Sequence, residues 1–194
     1  MLALGAGTLA AYGRPGDYFR YYEINPQVVD LSRGPHPVFT YIRDSAAKVD
    51  TELGDARLLL EQEAAQGNLQ RFDVLVLDAF SGDAVPVHLL TKEAFDTYRK
   101  HLRNDNAIIA VHLSSRHINL VPVVEGIRAH SNSYSLVKFT EGFYPFLTSE
   151  WVFLAEQPQA LQVPGLFESL PPTRSQTKPR LWTDDYSDVF RLLY

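Results

Sequence analysis

The stretch that most constrains this chain runs from Phe72 to Pro86, Phe-Asp-Val-Leu-Val-Leu-Asp-Ala-Phe-Ser-Gly-Asp-Ala-Val-Pro. Val74 to Leu77 is an uninterrupted apolar run, the pattern of a strand buried on both faces in a parallel sheet. Asp78 follows at once, where an open α/β sheet delivers a strand's last side chain to its ligand crevice. Ser81, Gly82, Asp83 and Pro86 spell a loop, and a helix is expected from about His88 to Leu102. One unit therefore offers a buried strand, a carboxylate at its carboxyl end and a polar loop carrying a second carboxylate.

The rest of the chain repeats the alternation. Met1 to Leu4 reads as the end of a buried strand, followed by the turn Gly5-Ala-Gly7 and a short helix from Thr8. Because so little of that strand is present, the expectation is a chain that begins inside a larger protein, or a domain whose first strand is truncated. Tyr18 to Ile24 is the next strand, with Glu23 near its end. Asn25 caps a helix that starts at Pro26 and runs through about Ser32. Lys48 to Leu53 is a strand ending at Gly54-Asp55-Ala56-Arg57, and Leu58 to Gln66 a helix closed by Gly67. After the organising strand come a strand over Asn106–Leu113, a helix over Leu120–Ser131 and a strand over Ser133–Phe139. Glu150 to Ala155 is expected to be a seventh strand, antiparallel to its neighbours. Pro158 to Pro179 is Pro-rich and irregular. The alternation predicts an α/β fold with a doubly wound, mostly parallel seven-stranded sheet, Rossmann-like in class. Residues 1–157 would form the nucleoside-binding domain. Residues 158–194 would be an excursion and tail packed on it.

Composition narrows the functional classes. A net charge of −5 with no run of Lys or Arg offers no stripe for nucleic-acid phosphates. With no cysteine at all, thiol catalysis, disulfide scaffolds and zinc-thiolate sites are excluded. No apolar run approaches the length of a membrane span, and no basic-then-apolar leader is present. The six histidines show no ligand spacing, so no metal is expected. The cytoplasm is the default location, and a homodimer is among the expectations.

Several constellations carry chemistry. Gly5-x-Gly7, with Ala10 in the third permissive position, fits NAD, flavin and S-adenosylmethionine sites alike. Glu23 follows at the distance usual for an acid that binds ribose hydroxyls. Asp55 discriminates better, because a carboxylate there can accept a hydrogen bond from an adenine amino group. It would equally cap the following helix. Asp78 and Asp83 would attract cationic partners and could take a proton from an ammonium nucleophile. His112, at a strand end, reads as structural. Tyr144, Trp151 and Trp182 read as core or pocket wall, and Asp184-Asp185-Tyr186 as a capped, exposed tail.

Four motifs in order resemble the spermidine synthase (polyamine aminopropyltransferase) family: Gly5-Ala-Gly7-Thr-Leu-Ala-Ala-Tyr-Gly13, Tyr22-Glu23-Ile-Asn-Pro26, Leu53-Gly54-Asp55-Ala56-Arg57 and Leu77-Asp78-Ala-Phe-Ser-Gly-Asp83-Ala-Val-Pro86. The likeness is nearest to its bacterial spermidine-synthase-like branch, which the closing Trp182-Thr-Asp-Asp-Tyr-Ser187 also resembles. The resemblance implies a class I methyltransferase-like fold. It implies transfer of an aminopropyl group from decarboxylated S-adenosylmethionine to a small-molecule amine such as putrescine, without a metal. Gly5, Gly7, Glu23, Asp55, Ala56 and Asp78 would hold the cofactor, and Asp78 and Asp83 would be catalytic. The family's enzymes carry Asp-Ser-Ser-Asp-Pro where this chain has Asp78-Ala-Phe-Ser-Gly-Asp83, and they add an N-terminal β-hairpin domain. The rival readings are a methyltransferase using intact S-adenosylmethionine, a non-catalytic nucleoside-binding domain of a larger protein, and an NAD-binding domain.

Overall fold

A computed structural model describes residues 1–79, 86–115, 117–142, 148–164 and 178–193. The chain divides into two compact units, Met1–Glu63 and Ala64–Tyr194.

In the first unit, β1 (Tyr18–Glu23) and β2 (Lys48–Leu53) pair in parallel, with Glu23 opposite Leu53. Parallel neighbours need a crossover, and α1 (Pro26–Arg33) supplies it. The Asn25 side chain accepts from the Gln27 N–H, and Pro26 occupies the first turn, so this helix start is the one its sequence spells. Leu4, Ala10, Tyr21 and Ile42 form the buried core, with Val28, Val29 and Val49 packed on it. The outer part of β1 is held by charge. Arg20 bridges Glu52 at 3.2 Å and Glu63 at 2.6 Å, while the Tyr22 hydroxyl donates to Glu63 at 2.9 Å. Glu63 lies in α2 (Ala56–Ala65).

The second unit holds a four-stranded sheet in the order β3-β4-β6-β5, from β3 (Val74–Leu77), β4 (Ile108–His112), β5 (Tyr134–Thr140) and β6 (Ser149–Ala155). β3 and β4 are parallel, and β6 runs antiparallel to both β4 and β5. Two helices accompany the sheet. α3 (Lys92–Lys100) is capped by Thr91, whose Oγ1 accepts from the Ala94 N–H. α4 (Val121–Ser131) ends at Asn132 in the left-handed conformation. In the closing segment Asp184, Asp185 and Tyr186 are exposed, as expected, but the segment is tied down as a strap at Trp182 and Asp184. Trp182 is buried and its carbonyl accepts from Lys92 N–H at 2.9 Å. Asp184 accepts from the Thr91 hydroxyl at 2.7 Å, and its own N–H donates to Glu93. Thr91 thus closes the start of α3 with one oxygen that both accepts from the helix and donates to the strap.

Three expectations are corrected. The described residues hold six strands in a two-stranded and a four-stranded sheet, not one seven-stranded doubly wound sheet. The expected first strand is reduced to a single parallel bridge between Leu2 and Tyr22. Its physical cause is local, because Ala3 turns to φ 75° and the chain leaves the extended path before Gly5. Nor is β3 buried on both faces throughout. Leu75 and Leu77 are fully buried, while Val74 is half exposed.

Candidate functional site

In the first unit the site residues gather at the carboxyl ends of β1 and β2. The turn after Leu4 depends on its glycines, with φ 53° at Gly5 and 79° at Gly7. They do different things. Gly5 is exposed and a Cβ there would meet nothing within 4 Å, so its backbone is open to a ligand. Gly7 is buried, and a Cβ there would lie 3.1 Å from Ile42. Its absent side chain serves packing inside the unit. The helix that follows, Thr8–Tyr12, is a short 3-10 segment.

Glu23 is buried, yet it is a carboxylate with its oxygens already organised. Oε2 accepts from Leu4 N–H at 2.8 Å and Oε1 from Asn25 N–H at 2.9 Å. Each oxygen keeps a lone pair for a further donor such as a ribose hydroxyl. The Glu23 carbonyl accepts from Gly54 N–H at 2.8 Å, which carries the β1–β2 ladder past its last pair, and Asp55 is the residue that follows. Gly54 adopts φ 148° there. Asp55 caps α2, with Oδ1 accepting from Leu58 N–H at 3.0 Å. Ala56 is the first residue of that helix and is buried. Two side chains that sequence reasoning did not single out stand in the same place. Ile24 is 68% exposed and Leu53 is 56% exposed, apolar surface immediately beside the acids.

In the second unit, Asp78 follows β3 directly and is about one third exposed. Since Leu77 pairs with Val111, the next position on β4 is His112. Its Nδ1 lies 2.6 Å from Asp78 Oδ1, and its Nε2 lies 2.6 Å from Ser114 Oγ. Ser114 Oγ also accepts from Glu150 N–H at 2.9 Å. The imidazole stacks on Trp151 across the β4–β6 pair, with centroids 4.7 Å apart and an interplanar angle of 22°. Burial pushes the neighbouring Glu150 carboxyl up from its ordinary pKa. Asp83 and Tyr144 lie outside the described residues. Among the described residues no group of three His, Asp or Glu side chains gathers to hold a metal ion. No described helix is long and apolar enough to cross a membrane.

The class defined by these features is a mixed α/β protein with parallel strand pairs, compatible with a Rossmann-like fold, whose acids stand at the strands' carboxyl ends. No protein-family model matches the sequence. Among curated proteins the chain is similar to a polyamine aminopropyltransferase from Vibrio vulnificus (strain CMCP6), 27% identical over 113 residues, which is 57% of this chain and 36% of that protein. The chain therefore matches about a third of that relative's length.

Proposed function

We propose that this chain is a spermidine-synthase-like transferase that binds decarboxylated S-adenosylmethionine and moves its aminopropyl group to the amine of a polyamine such as putrescine. The observation that carries the reading is the contrast between two strand-end acids. Glu23 is tied to two backbone amides and can only be an acceptor held in place, suited to ribose hydroxyls. Asp78 is partly exposed, suited to meeting an ammonium group. The similarity to an aminopropyltransferase supports the choice of reaction within that frame.

The nucleoside part of the reading rests on the first unit by itself. Gly5 and Gly7 shape the backbone turn, Glu23 holds the ribose, and Asp55 and Ala56 meet the adenine. Exposed Ile24 and Leu53 give the base an apolar wall, since covering them removes apolar surface from water. The proton-acceptor part rests on Asp78, with Asp83 helping to hold the ammonium. An alkylammonium must lose a proton before it can attack, because its pKa is about 10. Asp78 takes that proton from the N–H bond. The freed nitrogen pair then forms the new C–N bond as the C–S bond breaks. Sulfur keeps the bonding pair, so the sulfonium leaves as neutral methylthioadenosine and the product is a secondary ammonium. Positioning of the two reactants is the larger part of the acceleration.

The test is Asp78→Asn, assayed with decarboxylated S-adenosylmethionine and putrescine. Turnover should fall by roughly 10²- to 10⁴-fold, the range of a lost general base, while methylthioadenosine binding stays within a few fold. Turnover at the wild-type rate would remove Asp78 from proton transfer. A methylated product from intact S-adenosylmethionine would replace the reaction with methyl transfer.

A further inference from the structure

We propose that His112 is a positioning residue for Asp78, held in one tautomer by Ser114, so that Asp78 presents only Oδ2 to the incoming ammonium. The proposal rests on the aminopropyl-transfer reading for its kinetic consequence, but not for its geometry.

The donors and acceptors are assigned from the carboxylate end. Ser114 Oγ already accepts from Glu150 N–H. Its proton remains free to reach His112 Nε2, 2.6 Å away, and a neutral ring whose own proton faces Asp78 accepts it there. A ring that accepts at Nε2 and is neutral carries its proton on Nδ1. That proton faces Asp78 Oδ1 at 2.6 Å, where an ionised carboxylate needs a donor. The opposite tautomer would set a bare ring nitrogen against a carboxylate oxygen, lone pair to lone pair. The chain Glu150 N–H, Ser114 O–H, His112 N–H and Asp78 thus runs in one direction, and every link is an ordinary donor–acceptor pair.

The ring cannot turn away cheaply. Trp151 stacks on its face at 4.7 Å, and the indole is itself fixed by its N–H donating to Ser149 Oγ at 2.9 Å. The Asp78 carboxylate is therefore gripped by one oxygen from a side chain locked by its strand neighbours. The second oxygen is left for the amine proton. Fixing the acceptor before the substrate arrives is the kind of preorganisation that general-base geometry requires.

The variants separate positioning from mere packing. Asparagine places its amide nitrogen where Nδ1 sits, one bond beyond Cγ, and keeps the donor to Asp78. Glutamine carries its nitrogen one bond further, where it no longer meets Oδ1. His112→Ala and His112→Gln should lower kcat for aminopropyl transfer by roughly a hundredfold, the scale on which a misplaced reacting group slows a reaction. KM and methylthioadenosine affinity should stay within about twofold, and His112→Asn should recover most of kcat. A His112→Ala enzyme with unchanged kcat would overturn the assignment. The ring is also read without turnover, by two-bond ¹⁵N–¹H correlations on the full chain. The expected spectrum shows a proton on Nδ1 and a bare Nε2, with that preference lost in Ser114→Ala. A wild-type ring protonated on Nε2 alone overturns the proposal whatever the reaction is. A chain that transfers no aminopropyl group but shows the expected tautomer refutes the reaction and leaves the His112–Asp78 arrangement standing.

Discussion

Carboxylates of one chemistry meet three different surroundings here, and each was legible to a different degree. Glu23 and Asp78 are found from sequence because each closes a strand, and strand ends are where an α/β sheet presents side chains. The capping role of Asp55 is equally local, since a cap needs only the residue and the helix behind it. The grip of His112 on Asp78 is not local. It exists because β3 lies beside β4 in one register and β6 lies beside β4 in another, and no pattern within one strand encodes both. Glu150 is the third case, a carboxyl whose pKa burial raises above the ordinary value. Its folded value exceeds its unfolded one, so as pH rises the unfolded chain releases this proton first. The penalty is absent below the unfolded glutamate value of about 4.3. It is complete once pH passes the raised folded value, and stability is lost across that window. Glu150→Gln should therefore raise the urea midpoint at pH 7 and leave it nearly unchanged at pH 4. An equal gain at both pH values would show that burial of the charge is not the cause.

The elements with a strong local signature are where the sequence places them. β1, β2, β5, β6 and the starts of α1 and α4 fall within a residue or two of their expected limits, because strand alternation and prolines in the first helical turn, at Pro26 and Pro122, act on their immediate neighbours. Elements that depend on distant partners differ. The N-terminal strand dwindles to one bridge because Ala3 turns away. The expected long helix from His88 becomes a 3-10 turn at Val87–Leu89 followed by α3, whose start is fixed by the strap at Asp184. That strap is the feature least visible in sequence. Its path over α4 is open only because Gly126 has no side chain, since a Cβ there would lie 2.1 Å from the Arg180 carbonyl oxygen. Arg180 N–H also donates to the Pro122 carbonyl at 2.8 Å. Helix propensity alone would make Gly126→Ala stabilising by about 1 kcal/mol. Overpacking against rigid backbone costs roughly 1–3 kcal/mol or more and outweighs that gain. The variant should melt lower than wild type and lose hydrogen-exchange protection at the Arg180 amide. A higher melting temperature with protection intact would mean that the strap does not rest on Gly126.

At the scale of the whole molecule, the α/β character and the antiparallel sixth strand were readable, while the sheet count was not. Strand number in one sheet depends on pairings between segments far apart in sequence, and periodicity reports only each segment's own faces. The chemistry follows the same division. The glycine turn, Glu23 and Asp55 lie in the first unit and are the residues proposed to meet a nucleoside. Asp78 and His112 lie together in the second and are the residues proposed for proton transfer. The similarity to a polyamine aminopropyltransferase reaches 57% of the chain. The most direct measurement is calorimetric titration of the purified chain with methylthioadenosine, decarboxylated S-adenosylmethionine, intact S-adenosylmethionine and NAD. The account predicts binding of methylthioadenosine and the decarboxylated cofactor, weaker binding of the intact one, and none of NAD. Preference for NAD, or no binding of any adenosyl compound, would contradict it.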